Sequence, residues 1–138
     1  MFGLVQGEAN AIQPGKRPLS SMTPTIILKD GKLFMTAGAP GGPRISTAVL
    51  QVILNVLDFG MNVQDAIDAP RFHHQWQPDQ LLLERGISPD TVALLKSRGY
   101  DVDDSGVALA QVAAIVSENG WLQGGSDGRS AAGKASGY

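Results

Sequence analysis

Two chain-reversing dipeptides, Asp30-Gly31 and Asn119-Gly120, restrict what this sequence can fold into more than any other feature. Each supplies the pair of positive φ angles that a tight type I′ turn requires, and each sits between runs rich in apolar and β-branched residues. Thr25–Lys29 and Lys32–Thr36 therefore form one antiparallel hairpin, and Gln111–Val116 with Trp121–Gln123 form a second. Between the hairpins the apolar period changes. Ile45, Ala48, Val49, Val52, Ile53 and Val56 keep the i, i+3, i+4, i+7 spacing of a helix face. Leu50, Leu54 and Leu57 widen that stripe until the helix is expected to be buried on more than one side. Asn62, with Asp65 three residues later, caps a short helix that Pro70 ends, and Ser88-Pro89-Asp90 opens another that Gly99 closes. Arg71–Gln77 and Leu81–Glu84 read as short extended pieces around Pro78-Asp79.

This pattern predicts an α+β fold, an antiparallel sheet with helices on one face. A chain of 138 residues suits a single domain, with residues 1–24, rich in Gly, Pro, Asn and Ser, irregular and 25–138 forming the body. Apolar residues alternating onto the far face of such a sheet need a cover of their own, so the layer is expected to be part of a larger object.

Composition narrows the partners. Eleven basic and thirteen acidic side chains leave a net charge of -2, which provides no field to hold a phosphate backbone and argues against nucleic acid. There is no cysteine, hence no disulfide, no thiolate metal site and no cysteine nucleophile. The longest apolar-rich stretch, Ile45 to Met61, is broken by Ser46, Thr47, Gln51, Asn55 and Asp58, which excludes it as a membrane span. Met1 to Glu8 lacks the basic and apolar regions of a secretory signal, and the compartment stays open. His73 and His74 are adjacent and point apart, so they cannot easily share one metal. Asp101, Asp103 and Asp104 lack the terminal Glu of a calcium loop and read as a solvated turn. Neither a metal nor an organic cofactor is expected.

Two segments have chemical potential. Ser20-Ser21, between Pro18-Leu19 and Met22-Thr23-Pro24, presents adjacent hydroxyls on a backbone stiffened by proline, suited to a carboxylate; loop serines also satisfy their neighbours' backbone groups. Gly41-Gly42 precedes the long helix, where free N–H groups and the helix dipole favour an anion. A phosphate cradle, an oxyanion hole and a plain strand-to-helix turn all fit bare glycines there, although no Lys follows them as in a nucleotide loop. Arg44, one residue further into the turn, could pair with a carboxylate or remain solvated.

Lys16-Arg17-Pro18-Leu19-Ser20-Ser21-Met22-Thr23-Pro24-Thr25, then Gly38-Ala39-Pro40-Gly41-Gly42-Pro43-Arg44-Ile45, then Ala69-Pro70-Arg71-Phe72-His73-His74-Gln75, resemble the γ-glutamyltranspeptidase (glutathione hydrolase) family. The likeness runs from Gly3-Leu4-Val5 to Asp127-Gly128-Arg129, where the family commonly has Pro in the middle, and on to Ser136-Gly137-Tyr138. It corresponds to the C-terminal part of the family's small subunit.

The resemblance implies part of an N-terminal nucleophile hydrolase, an αββα sandwich. In that family an N-terminal Thr attacks a γ-glutamyl amide such as glutathione, and the acyl-enzyme passes the glutamyl group to water or to an amino acid or peptide. Ser20 and Ser21 match the family's substrate-carboxylate serines, and Gly41 and Gly42 match its oxyanion-hole glycines. The resemblance also implies that the nucleophile, the groups holding the substrate's amino end and the large subunit stand outside these residues. The expectation is thus a hydrolase and acyltransferase segment with half a site, inactive alone and partnered by the remaining subunit parts. The alternative is a non-catalytic structural module that associates with itself. The family is often periplasmic or extracellular, and its choice between hydrolysis, transpeptidation and acylase activity rests on residues upstream.

Overall fold

The computed structural model describes residues 3–131 and 133–137. Met1, Phe2 and Tyr138, which belong to the opening and closing segments quoted above, lie outside the described residues. Strands β1 (Thr25–Lys29) and β2 (Lys32–Gly38) form the first hairpin, with Asp30 at φ 52° and Gly31 at φ 74° in its turn. Both angles are positive, as a type I′ turn needs to match the twist of the strands it joins.

The chain continues through a short turn into helix α1 (Ile45–Leu57) and helix α2 (Val63–Asp68), whose first turn is capped by Asn62 Oδ1 accepting from the Asp65 N–H at 2.9 Å. Then follow β3 (Phe72–His73), β4 (Leu81–Leu83), helix α3 (Pro89–Ser97), β5 (Val102–Asp103), β6 (Ala113–Glu118) and β7 (Trp121–Ser126). Asn119 at φ 53° and Gly120 at φ 80° join the last two as the second hairpin.

The hairpins lie side by side in one antiparallel sheet of order β1-β2-β6-β7, with Met35 opposite Val116 and Ala37 opposite Ala114. Those four side chains face α1 and α2 and pack with Ala48, Val49, Val52, Val63, Ala66 and Ile67 into the core. Helix α2 sits very close to β7. A Cβ on Gly125 would stand 2.6 Å from Ile67 Cδ1 and 3.2 Å from the Val63 carbonyl oxygen, so only glycine admits this approach.

One expectation is corrected. The stretch read as a solvated aspartate turn contains β5, whose Val102 and Asp103 pair in parallel with Leu81 and Leu82 of β4. A parallel pair requires a crossover, and α3 provides it; the resulting small sheet has the order β3-β4-β5. A two-residue strand has no period to read. Helix α1 packs against β2, α2 and β3 and so is covered on more than one side, while Leu50 is 53% and Leu57 48% exposed on the side away from the sheet. Nothing in the described residues reaches that side. Ile26, Ile115 and Leu122 likewise remain exposed on the sheet face opposite the helices, where the alternation had called for a cover.

Met35 is fully buried between the sheet and both helices. Met35→Ala is expected to lower the unfolding free energy by about 2–5 kcal/mol in a denaturant titration, whereas Ile26→Ala on the open face changes it far less.

Candidate functional site

Between β2 and α1 the backbone turns through Gly41 at φ 150° and Gly42 at φ 61°, two successive angles that residues with a side chain rarely adopt. The turn is also crowded. A Cβ on Gly41 would stand 2.6 Å from Ala110 Cβ and 2.9 Å from Ala110 Cα, so both conformation and space demand glycine. A single short turn, Gly42–Arg44, leads directly into α1 with Pro43 in its first positions, which suits a ring that has no N–H to offer.

Ser21, which is 21 residues from Gly42 in sequence, donates its Oγ hydroxyl to the Gly42 carbonyl oxygen at 2.9 Å. Ser20 Oγ accepts from the Met22 N–H at 3.1 Å and stays exposed. Ser20 keeps its O–H donor free, whereas Ser21 gives its single proton to Gly42 and keeps only acceptor positions. Ser21 lines an open cleft of about 880 Å³ with the 3–12 segment, and Gly41 and Gly42 line a neighbouring opening of about 710 Å³ with Arg44, His73 and Gln75. The structure thus joins the serine pair to the glycine pair by one hydrogen bond but sets them on two adjacent openings. Arg44 is half-buried and reaches the Ala108 carbonyl oxygen at 3.4 Å rather than a carboxylate.

The histidines part company. His73 is buried, with Nδ1 2.8 Å from Thr47 Oγ1 and Nε2 2.9 Å from Gln75 Oε1, while His74 Nε2 meets Asp79 Oδ1 at 2.9 Å near the surface. Among the described residues no group of three or more His, Asp or Glu side chains could hold a metal ion. Gln51 of α1 brackets β3, accepting from the Phe72 N–H at 3.0 Å and donating to the Phe72 carbonyl at 2.8 Å. Two of the polar residues that interrupt the α1 stripe, Thr47 and Gln51, therefore dock β3 of the small sheet beside the glycine turn.

A buried charge cluster lies behind that turn. Arg71 Nη2 meets Asp127 Oδ2 at 2.8 Å with both side chains almost wholly buried, and Arg129 spans Glu84 at 2.5 Å and Asp127 at 3.0 Å. Backbone groups complete it. Arg71 donates to the carbonyls of Ile67 and Leu109, Arg129 donates to those of Ile67 and Ala69, and the carboxylates accept from the N–H groups of Arg71, Leu109, Val112 and Arg129. Burial pushes the Asp127 carboxyl up, but the Arg129 and Val112 amides and the two guanidinium groups outweigh it and hold it below the usual carboxylate range. For Arg129 burial acts downward, and Glu84 and Asp127 reverse it and raise the guanidinium above its ordinary value. Arg71 shifts the other way, lowered chiefly by its own burial.

Comparison with known proteins places the chain in a family. The family model for gamma-glutamyltranspeptidase matches residues 1–138, the whole chain. The chain belongs to the gamma-glutamyltranspeptidase family. A glutathione hydrolase proenzyme of Escherichia coli K12 is 50% identical over 138 residues, all of this chain and 24% of that protein. A glutathione hydrolase proenzyme of Pseudomonas sp. A14 is 60% identical over 100 residues, covering 72% of this chain and 17% of its own. A gamma-glutamyltranspeptidase crystal structure from Helicobacter pylori superposes with a TM-score of 0.88 at 47% identity, over 94% of this chain and 72% of that one. The chain spans about a quarter of the length of the E. coli relative it matches throughout. Its mixed fold with an antiparallel sheet is that of gamma-glutamyltranspeptidases, as expected from the motifs.

Sequence reasoning passed over the charge cluster of this gamma-glutamyltranspeptidase family member. Arg71 and the Asp127-Gly128-Arg129 run stood inside quoted segments, but nothing in their spacing joins them to Glu84. Because Asp127 is held below its unfolded-chain value, it contributes stability at neutral pH and loses it as pH falls through and below about 4. Thermal unfolding should therefore keep a level midpoint from pH 7 to about 5 and fall below that. Asp127→Asn should cost about 3–5 kcal/mol at pH 7 and flatten the acid branch.

Proposed function

We propose that this chain provides the carboxylate-binding and oxyanion-stabilising part of a γ-glutamyl transfer site, working as one unit, the C-terminal segment of a small subunit. The observation that carries this reading is the hydrogen bond from Ser21 to the Gly42 carbonyl, which couples the two segments that such a site needs. Support also comes from the E. coli and Pseudomonas relatives, both named glutathione hydrolase proenzymes.

In this reading the γ-glutamyl group of glutathione or a related amide lies with its α-carboxylate accepting from the Ser20 hydroxyl and from the Ser21 hydroxyl, whose single proton turns from the Gly42 carbonyl to the substrate on binding. A Thr nucleophile from outside these residues, with its own N-terminal amine as base, attacks the γ-carbonyl. The oxyanion that forms lies at the start of α1, where the Gly41 and Gly42 amides and the positive end of the helix dipole stabilise it without rearrangement. Collapse expels the amine, and water or an amino acid or peptide then takes the glutamyl group. Thr23, Thr25 and Thr36 are internal and have no terminal amine to serve as base.

The test is hydrolysis of a γ-glutamyl anilide by the chain alone and after mixing with the remainder of a γ-glutamyltranspeptidase precursor. Turnover in the mixture only is the expected result; turnover by the purified chain alone would place a nucleophile inside it and overturn the reading. In the active mixture Ser20→Ala and Ser21→Ala should each raise KM about tenfold or more, the loss of a hydrogen bond to a charged group.

The exposed Ile26, Ile115 and Leu122 favour a second reading, a structural module that covers this sheet face with another copy of itself. Light scattering separates the two, since that module is dimeric or larger without any added subunit.

A further inference from the structure

The segment Leu109–Val112 runs behind the glycine turn and is pinned at both ends by buried carboxylates. Glu84 Oε1 accepts from the Leu109 N–H at 2.6 Å, and Asp127 Oδ2 accepts from the Val112 N–H at 2.7 Å. Arg71 Nη1 holds the Leu109 carbonyl at 3.1 Å from the same cluster. Between these anchors Ala110 takes φ 61°, a left-handed conformation that a residue with a Cβ disfavours and that its fixed neighbours impose. Ala110 is the residue that a Cβ on Gly41 would strike, and the next N–H, of Gln111, donates to the Pro40 carbonyl at 3.2 Å. The strap therefore touches the turn by one van der Waals contact and one hydrogen bond, immediately before the paired glycines.

We propose that Glu84 and Asp127 are positioning residues for the Gly41–Gly42 amides, acting through the Leu109–Val112 strap and the Ala110 methyl group. This rests on the reading of those amides as the oxyanion hole. Preorganised donors lose their advantage when they are free to turn, so a loosened strap lowers the rate of the chemical step and leaves binding by Ser20 and Ser21 intact. The buried charges are then retained for geometry at the far side of the turn, 43 residues from Gly41 in the case of Glu84.

The test combines amide NMR on the chain with kinetics of the mixed enzyme. In Glu84→Ala the Gly41 and Gly42 amide signals should shift and the Gln111 amide should exchange at least tenfold faster, while Ala114 and Val116 in the core keep their rates. Glu84→Gln, which retains an oxygen for the Leu109 N–H, should restore part of the difference. Ala110→Gly guards against unfolding: glycine accepts the positive φ, so the fold is kept while the methyl that backs Gly41 is removed. It should shift the same signals and lower kcat at least tenfold at nearly constant KM. Unmoved Gly41, Gly42 and Gln111 amides in folded Ala110→Gly, or an unchanged kcat in an active mixture, would overturn the inference. Failure of the unsubstituted mixture to turn over would instead overturn the transfer reading, with the amide coupling still measured on its own.

Discussion

The ion pairs that join Arg71 and Arg129 to Asp127 and Glu84 tie together every part of the chain that the hairpins and helices leave separate. Arg71 follows α2, Glu84 follows β4, and Asp127 and Arg129 follow β7, so the cluster binds the helical layer, the small sheet and the end of the large sheet at one point. Buried charges are costly to desolvate, and a pair is no proof of stability by itself. Here the remaining hydrogen-bonding capacity is largely taken up by carbonyls of Ile67, Ala69 and Leu109 and by four backbone amides. That satisfaction makes the cluster a device for geometry: it selects one arrangement of three segments that hydrophobic packing alone would allow to slide.

The glycine turn abuts the strap that this device anchors. Gly41 and Gly42 occupy conformations open chiefly to glycine, and the turn is contacted by Ser21 on one side and the Leu109–Val112 strap on the other. Polar residues of α1 do comparable work. Thr47 meets His73, Gln51 brackets Phe72, and Asn55 reaches the Ala66 carbonyl, so the face of α1 that looks like interrupted hydrophobicity is a row of hydrogen-bonding groups aligned with β3 and α2.

The exposed apolar surface on α1 and on the outer sheet face has a physical counterpart in the comparisons. This chain covers 72% of the Helicobacter pylori chain it superposes on, and its apolar residues stay exposed on two sides, Ile26, Ile115 and Leu122 on the sheet and Leu50 and Leu57 on α1.

Local interactions were legible in the sequence. Asp30-Gly31 and Asn119-Gly120 specify their turns through φ, Asn62 specifies its cap through a short side chain, and the α1 stripe specifies a helix through its period; none of these needs knowledge of a distant residue. Residue types and neighbours made Ser20, Ser21, Gly41 and Gly42 candidates among plainer alternatives, and the roles proposed for them came with the family resemblance. The tertiary structure alone decided that α1 has one open side, that Val102 and Asp103 form a parallel strand, that Ser21 reaches Gly42, and that four charged residues spread over 59 positions meet behind the turn. Each of those is a contact between segments far apart along the chain, and a linear pattern holds no record of which distant partner folding brings to a given side chain.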